Sequence, residues 1–425
     1  MRLAGLVKRS FLLVGVCDSA IVSLSGFLTN ILAGRFLAPS DFGLFATAFI
    51  VANMAILVQS SFISSPYSIL APRMEGVMRR EYLATSTWMT CSTSIPIGLI
   101  LSAGMYFYFR KALAGIELAQ ILSIFAIYVV TVMLQDFVRR ACFVHAREPA
   151  ALLLDTISAG GQVLLLIALR SRLTLDLALV VVSATTVFGI GAVYLGPLRD
   201  KSLPLHMGRL LERTRENLVL GKWLFMTSGM SWIGNQLYVL AVAAFQTPLV
   251  VAQLSVARTI AAVSNPAVST VENMGTPRAS RLAHERGSGA LRGFIGKITV
   301  MGGVPFIAIG ALCFAYPEAA IRILFHRSFG DIDNLVRIFS LMPFIWFANR
   351  SIAVGINALK QPRAIFPVYV VIAFTTVAGG IYLAKSYGAI GAAYGLLFNS
   401  VLMAIGFLIQ FLRLTPPEST AVKTS

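Results

Sequence analysis

FLLVGVCDSAIVSLSGFLTNILAG (residues 11–34) and GLFATAFIVANMAILVQSSFISSP (residues 43–66) are two apolar stretches joined by the short turn RFLAPSDF (residues 35–42). A bilayer has a hydrocarbon core of roughly 30 Å, which a helix crosses with about 20 apolar residues. A helix also satisfies its own backbone hydrogen bonds where no water is available. These residues therefore predict two membrane-spanning helices connected by a tight turn.

The same pattern continues through the 425-residue chain, which is 57% hydrophobic and 12% charged. It predicts an all-α integral membrane protein with about twelve transmembrane helices. The predicted spans are 11–34, 43–66, 84–109, 115–138, 150–169, 177–196, 223–246, 249–271, 293–316, 338–359, 364–384 and 389–412. The longest connections have roughly 20 residues, too few for a soluble domain with its own core.

Lysine and arginine predict the orientation of the chain. They are about three times as frequent in the N-terminus, the C-terminal tail and every second connection as in the opposite set of connections. Short basic loops remain cytoplasmic, so both termini are expected in the cytoplasm. Basic loops that meet an anionic leaflet also account for the net charge of +17, without any folded basic surface for nucleic acid.

Several classes of site are disfavoured by the sequence. No cleavage site follows the first apolar stretch, so it is expected to remain as a helix. The histidines are expected to be solvated, and the cysteines to be small packing residues, because no C-x-x-C spacing indicates a disulfide framework or a metal site. No P-loop, G-x-S-x-G or H-E-x-x-H motif is present, so we expect neither a cofactor nor enzymatic activity. The cysteines are Cys17, Cys91, Cys142 and Cys313.

A charged stretch with two prolines separates six predicted spans from six. We expect a six-helix lobe at 1–204, a connector at 205–222, and a second six-helix lobe with a short tail at 223–425. The connector is either an amphipathic helix on the inner membrane surface or a plain linker. A weak echo at an offset of 210 residues predicts two pseudosymmetric lobes that bracket a central cavity.

The residues 24–45, LSGFLTNILAGRFLAPSDFGLF, resemble the opening of polysaccharide flippases, which usually carry a G-R-x-L-G-P-x-E/D-F/Y-G turn at this place. Ala38 stands where that family usually has glycine. The Arg139-Arg140 pair with Phe143 is similar to a basic-aromatic patch of the same family. The chain thus resembles the flippases of O-antigen and exopolysaccharide biosynthesis, within the multidrug/oligosaccharidyl-lipid/polysaccharide exporter superfamily.

This resemblance implies a transporter of the bacterial inner membrane that works by alternating access. Its substrate would be an undecaprenyl-pyrophosphate-linked oligosaccharide, moved from the inner to the outer leaflet. Its partners would be this lipid-linked oligosaccharide, membrane lipids and other polysaccharide assembly proteins. Such a substrate requires polar groups for sugars and positive charge for the pyrophosphate.

Charges inside the spans are candidates for these roles, because Arg or Asp at the bilayer centre costs at least about 2.5–3.5 kcal/mol. Arg258 lies roughly 14 Å along its span at helical rise. It is interpreted as a cation that faces the anionic headgroup, or as a member of a structural ion pair. Arg350 has the same two interpretations. Asp18 is a candidate for proton or ion coupling, or for pairing with an arginine of a neighbouring helix. Asp136, Asp155 and Glu272 lie close to the cytoplasmic ends of spans, where interfacial solvation or helix-end pairing is expected to account for them.

Amides near mid-depth of several spans can both donate to and accept from sugar hydroxyls. Together they are expected to form a polar layer, although hydrogen bonding between helices is the competing use. Pro266 is expected to kink the eighth span. The amides are Asn53, Asn235, Gln236 and Asn399.

Two other functions are compatible with the sequence. A polytopic membrane enzyme of the same pathway, a polymerase or ligase, would keep its active residues in the external loop 317–337. A small-molecule exporter of the same superfamily is the other. A hydrophobic cation would require acidic cavity residues, which Arg258 and Arg350 disfavour.

Overall fold

The computed structural model describes residues 18, 21–109, 118–195, 207–359 and 361–416. Cys17, His206, the N-terminal residues and the end of the tail lie outside this part of the chain. Within it, all regular secondary structure is helical, as predicted. The chain divides into two compact units, Met1–Trp232 and Ile233–Ser425, with the boundary inside one long helix.

The first unit contains seven α-helices and the first part of an eighth among the described residues. These are α1 Ile21–Phe36, α2 Pro39–Gln59, α3 Ser65–Leu70, α4 Gly76–Phe109, α5 Leu118–Val144, α6 Glu148–Ala168, α7 Leu175–Leu195 and α8 Met207–Phe245. The turn between α1 and α2 is brief because Pro39 is the first residue of α2. At this position the backbone N–H of any residue has no partner within the helix, so proline, which has no N–H, fits well.

The second unit begins within α8. It continues with α9 Pro248–Ala261, α10 Asn265–Thr270, α11 Thr276–Ala315, α12 Pro317–Phe325, α13 Asp333–Ser340, α14 Met342–Ala358, α15 Phe366–Thr375 and α16 Ile381–Leu414. A 3₁₀ turn at Ala262–Ser264 interrupts the eighth span immediately before Pro266. The predicted break in this span is therefore present.

Seven of the described helical segments are long and apolar enough to cross a membrane. The segment Phe366–Leu414 covers the last two predicted spans. These spans are separated at Gly388, whose φ of 56° is in the left-handed region that favours glycine. The chain is a multi-pass membrane protein.

Three backbone features of the first unit recur 211 residues later in the second. Each unit has a π-helical turn, then a proline, then a glycine with positive φ, in the same order and spacing. The pairs are Ser60–Ser64 with Val271–Gly275, Pro66 with Pro277, and Gly76 (φ 57°) with Gly287 (φ 75°). The backbone therefore supports an internal repeat, close to the offset of 210 found in the sequence.

The first half of α8 packs on the other helices of the first unit. The Tyr82 hydroxyl of α4 donates to Asn217 Oδ1 at 2.6 Å, in a fully buried position. Because α8 has no break at residue 222, the predicted connector and the seventh span form one helix. Whether its first turns lie on the membrane surface stays a prediction.

The expectation that all histidines are solvated is wrong for His145. Its Nε2 lies 3.0 Å from the hydroxyl of Tyr67. Tyr67 is completely buried. A buried hydroxyl needs a hydrogen-bond partner, and the half-buried imidazole at the end of α5 provides one.

Gly395 allows α16 to approach Tyr238 of α8 within the second unit. An added Cβ would overlap the buried Tyr238 ring. We expect Gly395→Ala to lower the free energy of unfolding by about 1–3 kcal/mol, as overpacking does in tight cores. The measurement is thermal unfolding in detergent, followed by size-exclusion chromatography.

Gly296→Ala of α11 is the matched control, because a Cβ there meets no atom within 4 Å. We expect no loss of stability for it, since alanine is the better helix former. A Gly395→Ala protein as stable as the control would contradict this packing.

Candidate functional site

A buried ion cluster lies within the first unit. Arg139 of α5 places Nη2 2.5 Å from Oδ2 of Asp18 and Nε 2.6 Å from Oδ2 of Asp155 on α6. Asp18 is 0% and Asp155 2% exposed. Two carboxyl groups share one guanidinium, so the cluster has one acid more than it has bases. The pairing of Asp18 with an arginine of a neighbouring helix is one of the two alternatives stated above.

Interfacial solvation, one of the two explanations expected for Asp155, is wrong, because Asp155 is 2% exposed and is paired with Arg139. It faces the interior, where Gln135 Nε2 donates to its Oδ1 at 3.3 Å and Thr186 donates to Gln135 Oε1 at 3.4 Å. A buried carboxylate needs a counter-charge and hydrogen bonds because it has lost its water. Only three-dimensional structure brings Arg139 to it.

A cavity of about 290 Å³ opens beside this cluster. Arg139 and Asp155 are in its wall, and three amides, four hydroxyls and four aromatic rings or branched apolar groups complete much of it. These are Asn30, Gln135, Gln162, Ser25, Thr29, Ser158, Thr186, Phe45, Phe49, Tyr128 and Ile56. Amides and hydroxyls beside flat apolar groups suit a polar organic ligand that also has nonpolar faces.

Some oxygen atoms around the cluster have no hydrogen-bond partner in the described part of the chain. They are Asp18 Oδ1, Thr29 Oγ1 and Ser158 Oγ, all of them buried. Asp155 Oδ2 has Arg139 beside it as an ion pair without an aligned hydrogen bond. A proton or a cation would be stabilised by this set of acceptor atoms and by the excess of carboxyl groups over bases.

The sequence reasoning missed Gln135 and Gln162. A signal for them exists in helical spacing. Gln135 and Arg139 are four residues apart on α5, and Asp155, Ser158 and Gln162 fall on one face of α6. Such polar stripes on otherwise apolar helices would have indicated the cavity.

Arg258 lies in the second unit, near the end of α9. Its Nη1 donates to Gln236 Oε1 of α8 at 2.7 Å, so two of the candidate residues are in direct contact. The side chain is half-buried. Among the described residues, no carboxylate lies within ion-pair distance of it, in contrast to Arg139.

Arg350 of α14 forms an ion pair with Glu272 in the π-helical turn Val271–Gly275, at 3.3 Å. The two side chains are 53% and 43% exposed. Of the two interpretations of Arg350, a cation that faces the headgroup or a member of a structural ion pair, the contact with Glu272 corresponds to the second.

The other candidate amides differ in their surroundings. Asn399 is buried and donates to Gly234 O at 3.0 Å and to Thr376 Oγ1 at 2.7 Å, so it joins helices of the second unit. Asn53 is half-buried and donates to the carbonyl of Phe49 in its own helix. Asn235 is half-buried next to Gln236. The polar layer stays a prediction. Asn399 instead makes hydrogen bonds between helices, which was the alternative role for these amides.

Comparison with solved structures reveals the fold. An inward-facing multidrug resistance MATE family transporter of the MOP superfamily superposes with a TM-score of 0.66 at 13% identity, over 92% of this chain and 94% of that one. Lipid II flippase MurJ, in an inward closed conformation, superposes with a TM-score of 0.69 at 12% identity, over 95% and 89%. The chain has a MATE- and MurJ-like transporter fold.

An outward-facing MATE family transporter of the same superfamily matches as well, with a TM-score of 0.61 at 13% identity and 96% of both chains covered. No protein-family model and no curated protein matches this sequence. The likeness at this identity establishes the architecture, and function has to be argued from the residues of the site.

The ion cluster predicts a large effect of removing its cation. Arg139→Gln leaves Asp18 and Asp155 buried without a counter-charge, so we expect a loss of about 3–5 kcal/mol in the free energy of unfolding. Adding Asp155→Asn to this variant should restore part of the loss, because one buried charge disappears. Thermal unfolding of the purified proteins measures both effects.

Arg140→Gln is the matched control on the same helix. Arg140 pairs with Asp136 at 3.1 Å in a more exposed position. We expect a loss of less than about 1 kcal/mol. Equal losses in the free energy of unfolding for Arg139→Gln and Arg140→Gln would contradict this account. They would mean that the buried Arg139 cluster contributes no more to stability than the exposed Arg140 pair.

Proposed function

We propose that this protein is a membrane transporter that moves an undecaprenyl-pyrophosphate-linked oligosaccharide from the inner to the outer leaflet of the bacterial cytoplasmic membrane. Transport would occur by alternating access and serve polysaccharide biosynthesis. The observation that carries the proposal is Arg258, a half-buried intramembrane arginine held by Gln236 rather than by a carboxylate. The flippase-like turn at residues 24–45 and a fold shared with a lipid II flippase support it.

The argument from Arg258 is electrostatic. An arginine within the membrane is unfavourable by at least about 2.5–3.5 kcal/mol, so it needs a partner or a function. Gln236 accepts one of the five guanidinium N–H bonds and carries no charge. The remaining N–H groups can bind phosphate oxygens as a fork, which suits a pyrophosphate.

The cavity of the first unit supports a saccharide ligand. Its amides, Asn30, Gln135 and Gln162, each offer both a donor and an acceptor to hydroxyl groups. Phe49, which is 41% exposed, offers apolar surface to the faces of sugar rings. We assign sugar contacts to this cavity in addition to the half-buried Asn53, Asn235 and Gln236.

We further propose that Asp18 couples transport to a proton or another cation, together with Asp155. Arg139 cannot neutralise both carboxylates, and acceptor oxygens nearby have no hydrogen-bond partner in the described residues. Binding of one positive charge would balance the cluster. Its release on the other side of the membrane would supply the energy for the conformational cycle.

The same cluster favours a second candidate function, export of small organic cations. Its excess of carboxyl groups over bases would attract such a cation, and two structural neighbours are multidrug resistance MATE family transporters. This candidate makes Asp155 essential and Arg258 dispensable. Lipid-linked oligosaccharide transport makes Arg258 essential, so the two functions predict opposite results for one variant.

The central test of the substrate class is Arg258→Ala. We expect it to abolish flipping of a pyrophosphate-linked oligosaccharide in proteoliposomes, whereas Arg258→Lys retains part of the rate because it keeps the charge without the fork. Arg281→Ala, which removes an exposed arginine of α11, should transport normally. Full transport by Arg258→Ala, at a normal level in the membrane, would contradict the proposal.

The coupling role of Asp18 is tested with Asp18→Asn. Asparagine cannot gain or lose a proton, so we expect a lower transport rate and a flatter dependence of that rate on pH. Asp136→Asn is the control, because Asp136 is more exposed and pairs with Arg140. A wild-type rate and pH profile for Asp18→Asn would remove this residue from the mechanism.

A further inference from the structure

An open groove of about 810 Å³ lies in the first unit, apart from the ion cluster and its cavity. One wall is the end of the α3 region, with Leu70 and Arg73, and the other is the first half of α8, from Glu212 to Trp223. We propose that this groove binds an anionic phospholipid of the cytoplasmic leaflet. The proposal does not depend on the transported substrate.

The α8 wall changes from polar to apolar along its length. Arg215, Val219 and Trp223 are four residues apart and therefore share one face of the helix. From Glu212 to Trp223 this face extends about 16 Å at helical rise. A phospholipid has the same order of parts, with a charged headgroup at one end and acyl chains at the other.

Two arginines are available for the headgroup. Arg73 and Arg215 are exposed, on opposite walls of the groove, and neither has an ion pair or hydrogen bond within the described chain. Arg213 is instead fixed by Glu216 at 2.6 Å and by the ring of Tyr82, 5.5 Å from its guanidinium. Arg213 neutralises Glu216, so the charges that remain in the groove are those of two arginines, Arg73 and Arg215, and one acid, Glu212. The groove therefore attracts a phosphate of a lipid with net negative charge.

The other end of the groove suits an acyl chain. Val219 is 58% and Trp223 63% exposed, which is unfavourable in water but not against lipid. Lys222 places its ammonium 5.9 Å from the Trp223 ring. A tryptophan beside a basic residue is typical of the boundary between headgroups and hydrocarbon. The predicted cytoplasmic side of residues 67–83 and 197–222 places this boundary in the inner leaflet.

The α8 wall is fixed against its neighbours, so the groove has a defined shape. An added Cβ at Gly221 would lie 2.9 Å from the backbone oxygen of Ser61, which shows how closely α8 approaches the π-helical turn Ser60–Ser64. The rings of Phe62 and Phe225 stack with centroids 5.5 Å apart. A lipid in the groove would contact both α8 and the α3 region, and would stabilise their packing.

The test measures which lipid lies next to Trp223. The full-length protein is reconstituted in nanodiscs of phosphatidylcholine that contain a fixed fraction of phosphatidylglycerol, with bromine on the acyl chains of one lipid or the other. Bromine quenches tryptophan fluorescence at short range. The chain has four tryptophans, so the Trp223 contribution is the difference between the wild type and Trp223→Phe.

We expect brominated phosphatidylglycerol to quench the Trp223 component more strongly than brominated phosphatidylcholine at the same mole fraction. Removing Arg73 and Arg215 together, as Arg73→Ala with Arg215→Ala, should weaken the preference about 25-fold, since each basic residue near an anionic lipid contributes roughly fivefold. Arg281→Ala with Arg286→Ala, two exposed arginines of α11, should leave the preference unchanged.

Three results would overturn the proposal. Equal quenching by the two brominated lipids would mean that Trp223 contacts only bulk lipid. An equal loss of preference in both double variants would mean attraction by overall charge rather than by this groove. Displacement of phosphatidylglycerol from Trp223 by soluble inorganic pyrophosphate alone, without a need for acyl chains, would mean that the groove is a phosphate site and not a phospholipid site.

Discussion

The absence of water in the bilayer is the constraint on which this structure depends. Every charge inside it needs a partner, and the two units meet that need differently. Arg139 is surrounded by two buried carboxylates, whereas Arg258 has an amide and, in the described chain, no counter-ion. Under the proposed function, the first arrangement would take up a proton or cation, and the second would bind the anionic headgroup. The proposed transport of a negatively charged lipid, driven by a cation gradient, would use both.

The same constraint made the helices predictable. Backbone groups in a membrane must bond within the helix, so long apolar stretches indicate where helices lie. Breaks were predictable where the covalent structure imposes them, as at Pro266 in the second unit. The repeat at 211 residues is clearer in the backbone than in the sequence. Backbone conformations such as the φ of Gly76 and Gly287 are maintained while most side chains diverge.

Side-chain partners were less predictable. Asp155 lies close to a helix end in the sequence, yet it is buried against Arg139, because the depth of a residue depends on how helices pack and tilt. Asn399 was a candidate for sugar contacts, but it bonds to Gly234 and Thr376 within the second unit. A linear sequence places an amide on a helix without indicating whether another helix or a cavity faces it.

The most direct measurement of the central claim is made in a deletion strain, from which lipid-linked oligosaccharides are isolated and assayed for length and membrane face. We predict that complete single repeat units accumulate on the cytoplasmic face and that the intact gene restores their export. Single units exposed on the outer face but not polymerised, or no accumulation of lipid-linked oligosaccharide, would contradict the proposal that this protein moves them across the membrane.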